Sequence, residues 1–325
     1  MMIKRHIAVL PLVLLFVTRS ASAQNKAAAQ HVITDITYKK VGHGELKLDI
    51  YQPQPSGKVK NPVLIFIHGG GWASGDKSEI HSDYRNTLLN ALLAKGYAVV
   101  SINYRLTNHD DIHFPSPVID CKDAVRWVYQ NAASYHFDTE NIGVWGTSAG
   151  AHMAMLLAYS EDKDFYGATE LRPYASKVNY VLNNYGPVDL KDLFKPKLSN
   201  FTLRLVKIFS KRKYDLRQSR LATFSGLDIE NQKDEVIHFK GLYSPVNYID
   251  AQSVPTFTIH GDHDKTVPLK QAKLLDKALR KYNVPHEMIV YAGEGHGLKT
   301  LHTEQISKLV TRVLVFTDTN TKKIG

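Results

Sequence analysis

The feature of this 325-residue chain that most constrains its fold is a series of short apolar runs separated by segments with helical spacing. The runs "VLIFI" (63–67) and "YAVVSINY" (97–104) consist mainly of apolar residues, which is typical of strands that are buried on both faces. Between them, residues 84–95 have a helical pattern that Gly96 ends. Strands that alternate with helices in this way form a mostly parallel sheet with helices on both faces. The sequence therefore predicts an α/β fold.

The same alternation continues to the C-terminus and gives the order of the predicted elements. Strands are predicted at residues 46–53, 62–70, 97–104, 141–146, 178–186, 255–262 and 286–293. Helices are predicted at residues 84–95, 117–135, 148–160, 268–282 and 303–316. Because the first two strands have no helix between them, we expect this pair to form an antiparallel edge of the sheet.

The N-terminus has the pattern of a secretory signal peptide. Lys4 and Arg5 precede an apolar run at residues 7–17, and the small residues "ASA" follow at 21–23. The run is shorter than the roughly 20 apolar residues that a membrane-spanning helix needs. We therefore expect residues 1–23 to be removed. The remaining residues, 24–325, are predicted to form one domain of a periplasmic or secreted protein without an integral membrane segment.

Composition limits how this domain is stabilised and what it binds. Cys121 is the only cysteine, so an intramolecular disulfide and a cysteine-based metal site are excluded, and we interpret Cys121 as a buried helix residue. The formal net charge is +10, but residues 191–222 alone contain ten Lys or Arg against two Asp. The positive charge is therefore local, and it gives no reason to expect a nucleic-acid partner.

The stretch "GVWGTSAGAH" places Ser148 between a predicted strand and a predicted helix. A G-x-S-x-G turn in this position is typical of a nucleophile elbow, where a sharp turn exposes the serine hydroxyl. Gly146 and Gly150 allow the turn and the close approach of the helix. On the alternative interpretation, the glycines serve packing only and the serine has no chemical role.

A serine nucleophile needs a base, and the base needs a carboxylate that orients it. His296 in "GEGHG" follows the last predicted strand, and Asp264 in "HGDHD" follows the strand before it. The order Ser148, Asp264, His296 is that of the α/β-hydrolases. Asp262 is an alternative acid. The "HGDHD" cluster could also hold a metal ion, but a triad loop explains the same residues, and we favour no metal site.

The segment "HGGGW" at residues 68–72 follows a predicted strand and matches the glycine-rich oxyanion loop of lipases and esterases. The expected hydrogen-bond donors are the backbone N–H groups of Gly70, Gly71 and Ala149. We expect Trp72 to line the substrate pocket. No phosphate-binding P-loop or dinucleotide fingerprint occurs in a suitable context. The four motifs together, each after a predicted strand, predict a serine hydrolase.

The segments "HGGGWASGDK", "NYRL", "FPSPVIDCKDAVRWV", "GTSAGAH", "HGDHDKTVP" and "GEGHG" together resemble the α/β-hydrolase esterases related to hormone-sensitive lipase. The nearest type is the bifunctional feruloyl and acetyl xylan esterase, and the resemblance covers roughly residues 36–316. It implies an α/β-hydrolase fold and a serine esterase without a cofactor. Ser148 is then the nucleophile, Asp264 the acid and His296 the base.

The resemblance also implies structural support around the site. We expect His68 and Asp76 to have structural roles, and Arg105 of "NYRL" to pair with Asp76 or Asp120. The resemblance is weak from residue 191 to 240, where we expect a helical insertion. Within it, residues 198–213 predict an amphipathic basic helix. This helix could be a solvated surface, a cap that attracts anionic substrates, or a membrane-surface contact.

The leading prediction is an exported carboxylic ester hydrolase that removes acetyl or feruloyl groups from polysaccharide or from other small acyl esters. One alternative keeps the triad but cleaves an amide, as arylformamidases and prolyl peptidases do. The signal peptide disfavours an arylformamidase, and the chain has no room for the propeller of a prolyl peptidase. The other alternative is an inactive hydrolase fold used for binding, which the intact triad disfavours.

Overall fold

The computed structural model describes residues 31–42, 44–55, 60–108, 110–195 and 219–322. The predicted signal peptide and the predicted amphipathic helix at 198–213 lie outside the described residues. In the described part of the chain, no helix is long and apolar enough to cross a membrane.

Eight strands form one sheet with the order β1-β2-β4-β3-β5-β6-β7-β8. Among the described strands, the β1–β2 and β2–β4 pairs are antiparallel and every other neighbouring pair, from β4–β3 to β7–β8, is parallel. The predicted mostly parallel sheet is therefore confirmed. The strands are β1 (His31–Val41), β2 (Gly44–Gln52), β3 (Asn61–Ile67), β4 (Ala98–Ile102), β5 (Phe137–Thr147), β6 (Tyr180–Asn184), β7 (Thr256–Gly261) and β8 (His286–Tyr291).

The antiparallel edge differs from the prediction. β2 and β3 are not neighbours, because β4 lies between them and pairs with both. The partner of β2 at the edge is β1, a strand that the sequence reading missed. Most of β1 is exposed or only partly buried, so it carries neither a long apolar run nor a clean alternation. The hydrophobic pattern therefore gives no signal for this strand.

The helices are α1 (Asp83–Ala94), α2 (Ser116–Gln130), α3 (Ala132–Tyr135), α4 (Ala149–Tyr159), α5 (Leu190–Leu193), α6 (Lys233–Leu242), α7 (Lys270–Lys281) and α8 (Thr303–Thr319). Residues 219–225 are also helical. The helix predicted at 117–135 is two helices, because it is interrupted at Asn131. The other predicted helices lie within a few residues of their expected bounds.

Side chains of the central strand β3 alternate between two apolar cores. On β3, Leu64 and Phe66 face a core that includes residues of α1 and α8. Val63, Ile65 and Ile67 face a second core that includes residues of α2, α4 and α7. Helices therefore cover both faces of the sheet. Since parallel strands end at the same edge, the segments after β3, β5, β7 and β8 meet there, and these are the segments that contain the predicted site residues.

Candidate active site

Ser148 forms a strained turn between β5 and α4. Its φ of 53° and ψ of −117° are unusual for a residue other than glycine, and such strain is typical of functional sites. The Ser148 N–H donates to the Asn184 carbonyl at the end of β6, at 2.9 Å. A Cβ on Gly146 would overlap the Gly150 backbone, and a Cβ on Gly150 would overlap the Ile67 carbonyl. Both glycines are therefore required by close packing at the turn.

The structure brings Ser148, His296 and Asp264 into one hydrogen-bonded chain. Ser148 Oγ lies 2.9 Å from His296 Nε2, and His296 Nδ1 lies 2.7 Å from Asp264 Oδ2. The Asp264 side chain is fully buried, whereas that of His296 is 25% exposed. In the tautomer with the proton on Nδ1, the imidazole donates to the carboxylate and can accept the serine proton.

Backbone groups hold the Asp264 carboxylate in place. Its Oδ1 accepts the N–H groups of Thr266 and Val267, at 2.8 and 2.9 Å. Asp262, the alternative acid, instead accepts the Gly293 N–H at 2.7 Å. The geometry therefore places Asp264, and not Asp262, at the imidazole.

The glycine-rich loop lies beside the serine. A Cβ built on Gly69 would lie 3.5 Å from the Ser148 Cβ. Gly70 and Gly71 have φ of 101° and 61°, and a Cβ on Gly70 would overlap the Ser74 carbonyl. Ala149 follows the serine directly as the first residue of α4. The three expected oxyanion donors are thus in the two segments that flank Ser148.

His68 is a buried support of this loop. Its ring stacks on Tyr104 with centroids 4.2 Å apart, and its Nδ1 lies 2.9 Å from the Gly69 carbonyl. Burial lowers the pKa of His68 to about 4, so the ring is neutral at physiological pH. The sequence analysis did not predict a role for Tyr104 at the site. Its hydroxyl donates to the carbonyls of His68 and Gly69, at 3.1 and 2.9 Å, and so fixes the start of the loop.

Arg105 pairs with Asp120 and not with Asp76. Its Nε lies 2.7 Å from Asp120 Oδ2 and its Nη2 2.8 Å from Oδ1. Asp76 has a different structural role, because it caps a short helix through the Ser78 N–H and accepts a hydrogen bond from Asn103. Of the two partners expected for Arg105, the structure therefore selects Asp120.

With this geometry established, comparison with known proteins identifies the family. The BD-FAE family model matches residues 48–279, which is more than half of the chain. The chain belongs to the BD-FAE family. The resemblance predicted from the sequence motifs is therefore confirmed, and so is the α/β-hydrolase fold.

Curated relatives of this BD-FAE member include two esterases of Mycobacterium tuberculosis. Esterase LipC is 27% identical over 257 residues, covering 78% of this chain and 57% of LipC. Esterase LipQ is 29% identical over 254 residues, covering 76% of this chain and 52% of LipQ. The chain thus spans about half the length of the curated relatives it matches.

Solved structures give the same fold. A truncated carbohydrate esterase from gut microbiota superposes with a TM-score of 0.70 at 25% identity, covering 89% of this chain and 96% of that one. A bifunctional GH43-CE protein of Bacteroides eggerthii also superposes with a TM-score of 0.70, at 27% identity, covering 90% of this chain and 38% of that one.

Trp72, expected to line the pocket, packs inside an aromatic cluster with little exposure. Its ring lies 4.4 Å from that of Phe224, and its Nε1 donates to His152 Nδ1 at 3.3 Å. His152, another residue that the sequence reading missed, donates from Nε2 to the Tyr243 carbonyl at 2.8 Å. Burial lowers the pKa of His152 to about 4. This neutral imidazole therefore ties the glycine-rich loop to α4 and to the end of α6.

An open cavity of about 470 Å³ adjoins the glycine-rich loop at Gly71. Asp110 and Arg220 contribute charged side chains of opposite sign to its lining. The other lining residues are Ala73, Thr107, Asn108, Ser219 and Thr223. The cavity therefore offers polar contacts for a group bound beside the glycine-rich loop. Among the described residues, no group of three His, Cys, Asp or Glu side chains is arranged to hold a metal ion.

Proposed function

We propose that this protein is a serine carboxylic ester hydrolase in which Ser148 is the nucleophile, His296 the general base and Asp264 the orienting acid. The observation that carries the proposal is the continuous hydrogen-bonded chain from Ser148 Oγ through His296 to the buried Asp264 carboxylate. The names of the relatives LipC and LipQ, both esterases, agree with it.

The reaction follows from the positions of these groups. Ser148 Oγ attacks the ester carbonyl carbon while its proton moves to His296 Nε2. The carbonyl oxygen becomes negative and accepts hydrogen bonds from the N–H groups proposed at Gly70, Gly71 and Ala149. The intermediate then collapses, and the C–O bond to the alcohol breaks as His296 returns the proton to the leaving oxygen.

Water completes the cycle by the same steps. His296 takes a proton from water, whose oxygen attacks the acyl-enzyme carbonyl. Collapse of this second intermediate releases the acid and restores the Ser148 hydroxyl. Asp264 accepts the hydrogen bond from Nδ1–H and stabilises the imidazolium that forms in each half-reaction.

For the substrate we propose acetyl or feruloyl esters of a polysaccharide, acted on outside the cytoplasm. Two solved structures of similar fold are described as a carbohydrate esterase and a bifunctional GH43-CE protein. The cavity beside Gly71 supports a polar alcohol portion, since Asp110 can accept and Arg220 can donate hydrogen bonds to hydroxyl groups. Export is proposed from the N-terminal sequence pattern.

The test of the chemistry is replacement of the proposed nucleophile. We expect Ser148→Ala to abolish hydrolysis of p-nitrophenyl acetate and covalent labelling by an organophosphonate, with unchanged thermal unfolding. Ser160→Ala, just after the other end of α4, is the matched control and should keep wild-type activity. Near-wild-type turnover by Ser148→Ala would overturn the assignment.

The substrate is tested separately with a panel. Acetylated xylan, methyl ferulate and acetylated pectin report polysaccharide or feruloyl ester cleavage, and N-formylkynurenine reports amide cleavage. We expect turnover of at least one of the three esters to exceed that of the amide. Preferential cleavage of N-formylkynurenine would replace the ester proposal with an amide-cleaving hydrolase.

A further inference from the structure

A second histidine, His260, lies at the carboxylate of the triad. It is in β7, and its side chain is fully buried. Its Nε2 lies 2.8 Å from the Val267 carbonyl and 3.5 Å from Asp264 Oδ2, the same oxygen that His296 contacts. The reaction described above does not use this side chain.

The surroundings of His260 fix its protonation. Both neighbours of Nε2 are oxygen acceptors, so Nε2 carries the proton and donates it to Val267. Burial lowers the pKa of His260, and the titratable groups that act on the ring are Asp264 and His296. The ring is therefore neutral at physiological pH. The positive end of its N–H dipole faces the Asp264 carboxylate.

This neutral ring leaves one polar atom without a partner. His260 Nδ1 is buried and makes no hydrogen bond in the described chain. An unpaired buried acceptor typically costs about 1–3 kcal/mol of stability. An apolar side chain would avoid that cost, so the Nε2–H contacts have to account for the presence of a histidine at this position.

The contacts of Nε2–H complete a ring of interactions around the acid. Asp264 Oδ1 accepts the Val267 N–H, while the Val267 carbonyl accepts from His260. His260 therefore fixes the turn at residues 264–267 through the Val267 carbonyl. At the same time its N–H dipole reduces the negative potential at Oδ2, where His296 binds.

We propose that His260 is a positioning residue of the active site, which acts by fixing the Asp264 turn through Val267 and by moderating the charge that Asp264 presents to His296. The proposal rests on the esterase function proposed above. It predicts that loss of the Nε2–H donor of His260 lets Asp264 stabilise the His296 imidazolium more strongly. A higher pH is then needed to form the neutral imidazole that acts as the base.

A matched pair of uncharged variants tests this. His260→Gln can place its amide nitrogen near the position of Nε2, whereas the shorter side chain of His260→Asn cannot reach the Val267 carbonyl. In His260→Asn, we expect the acidic midpoint of the kcat/KM profile to rise by about half a pH unit. We also expect kcat to fall about tenfold, with KM changed less than twofold, because the reacting groups are misplaced. His260→Gln should keep the wild-type midpoint.

Two measurements by NMR do not depend on activity. In the wild-type protein, long-range ¹⁵N–¹H spectra should show His260 as the neutral Nε2–H tautomer, and an Nδ1–H tautomer would overturn the proposal. The ring-proton titration of His296, assigned by its loss in His296→Gln, should shift in His260→Asn as the kinetic midpoint does.

The Ser148 and His260 variants distinguish a wrong role for His260 from a wrong mechanism. If Ser148→Ala is inactive but His260→Asn keeps the wild-type pH midpoint, His260 only fills the core and this inference is wrong. If Ser148→Ala remains active, the esterase mechanism itself is wrong, whatever the His260 variants do.

Discussion

Two fully buried carboxylates, Asp120 and Asp264, are held by several donors each but by different kinds of partner. Asp120, in α2, accepts from Lys39 at 2.7 Å and from two side-chain nitrogens of Arg105. Asp264 accepts from two backbone N–H groups and from His296. The side-chain partners of Asp120 are a lysine and an arginine, whereas the side-chain partner at hydrogen-bond distance from Asp264 is an imidazole.

The difference agrees with a structural role for Asp120 and with the catalytic role proposed for Asp264. The cations at Asp120 belong to a larger cluster in which Lys39 and Arg126 also pair with Asp123. Charge balance there stabilises the contact between β1 and α2. At Asp264 the negative charge is balanced only when His296 becomes an imidazolium, which is the state that proton transfer from serine produces.

The largest expected effect is the loss of the Asp264 charge. Asp264→Asn leaves the His296 ring without the acceptor that selects its Nδ1–H tautomer. By analogy with the serine-protease triad, kcat should fall by about 10⁴-fold. Thermal unfolding should change little. Steady-state hydrolysis of p-nitrophenyl acetate measures the loss.

Asp262→Asn is the control for that prediction. Asp262 contacts the Gly293 N–H and not His296, so its amide should retain turnover within a few fold of wild type. The opposite ranking of the two variants would move the acid to Asp262 and would contradict the geometry.

The corresponding change in the structural cluster should affect stability instead of rate. Asp120→Asn leaves Arg105 without its carboxylate and Lys39 with Asp123 alone. Removing one partner of a buried ion pair leaves the other charge uncompensated and typically costs about 3–5 kcal/mol. The free energy of unfolding should therefore fall by this amount. Urea denaturation measures the loss.

If Asp120 has only a structural role, the Asp120→Asn molecules that remain folded should have wild-type activity. We expect kcat per organophosphonate-labelled site to be unchanged in Asp120→Asn. Glu140→Gln, which removes an exposed ion pair with Lys322, serves as the control and should leave stability unchanged. A loss of kcat at unchanged stability in Asp120→Asn would show that Asp120 also acts on the site.

The sequence predicts seven of the eight described strands and the three residues Ser148, Asp264 and His296 for a physical reason. Strands buried on both faces need near-continuous apolar runs, and the turns at Gly146 and Gly150 need glycine because the backbones approach closely. These requirements are local, so each of them determines which residues follow one another in the sequence. The order of the motifs along the chain then adds the long-range information.

The supporting residues could not be predicted in the same way. Tyr104, His152 and His260 lie in apolar or helical stretches, where a polar aromatic side chain has no distinctive pattern. The contacts of Tyr104 and His152 with the glycine-rich loop form only when distant segments come together. His260 is only four residues from Asp264, but its contact depends on how the turn between them folds. For the same reason, the choice of Asp264 over Asp262 depends on which carboxylate the turn directs toward His296.

The smallest expected effect concerns Lys122, a cation next to the Asp120–Asp123 cluster that has no carboxylate at ion-pair distance in the described chain. Its side chain is buried, and its Nζ donates to the Glu161 carbonyl and lies 5.6 Å above the Phe165 ring. Burial, and then the charge of Arg126, lower the pKa of Lys122 from its ordinary 10.5 to about 8. Unlike Lys39, this residue is therefore poorly compensated when charged.

The sign of the effect on stability follows from proton linkage. Below pH 8 both the folded and the unfolded chain carry the Lys122 proton, so the full cost of burying the charge is present. Between pH 8 and 10.5 only the unfolded chain keeps the proton, and stability rises with pH. The stability of the wild type relative to Lys122→Met should therefore increase by about 1–2 kcal/mol from pH 7.5 to 9.5, below the range in which tyrosines titrate.

Urea denaturation of both proteins at each pH measures this difference, and Lys308→Met, at an exposed position of α8, should show no such increase. A constant difference between wild type and Lys122→Met across this range would mean that Lys122 stays charged in the fold, and that it is compensated as well as Lys39 is.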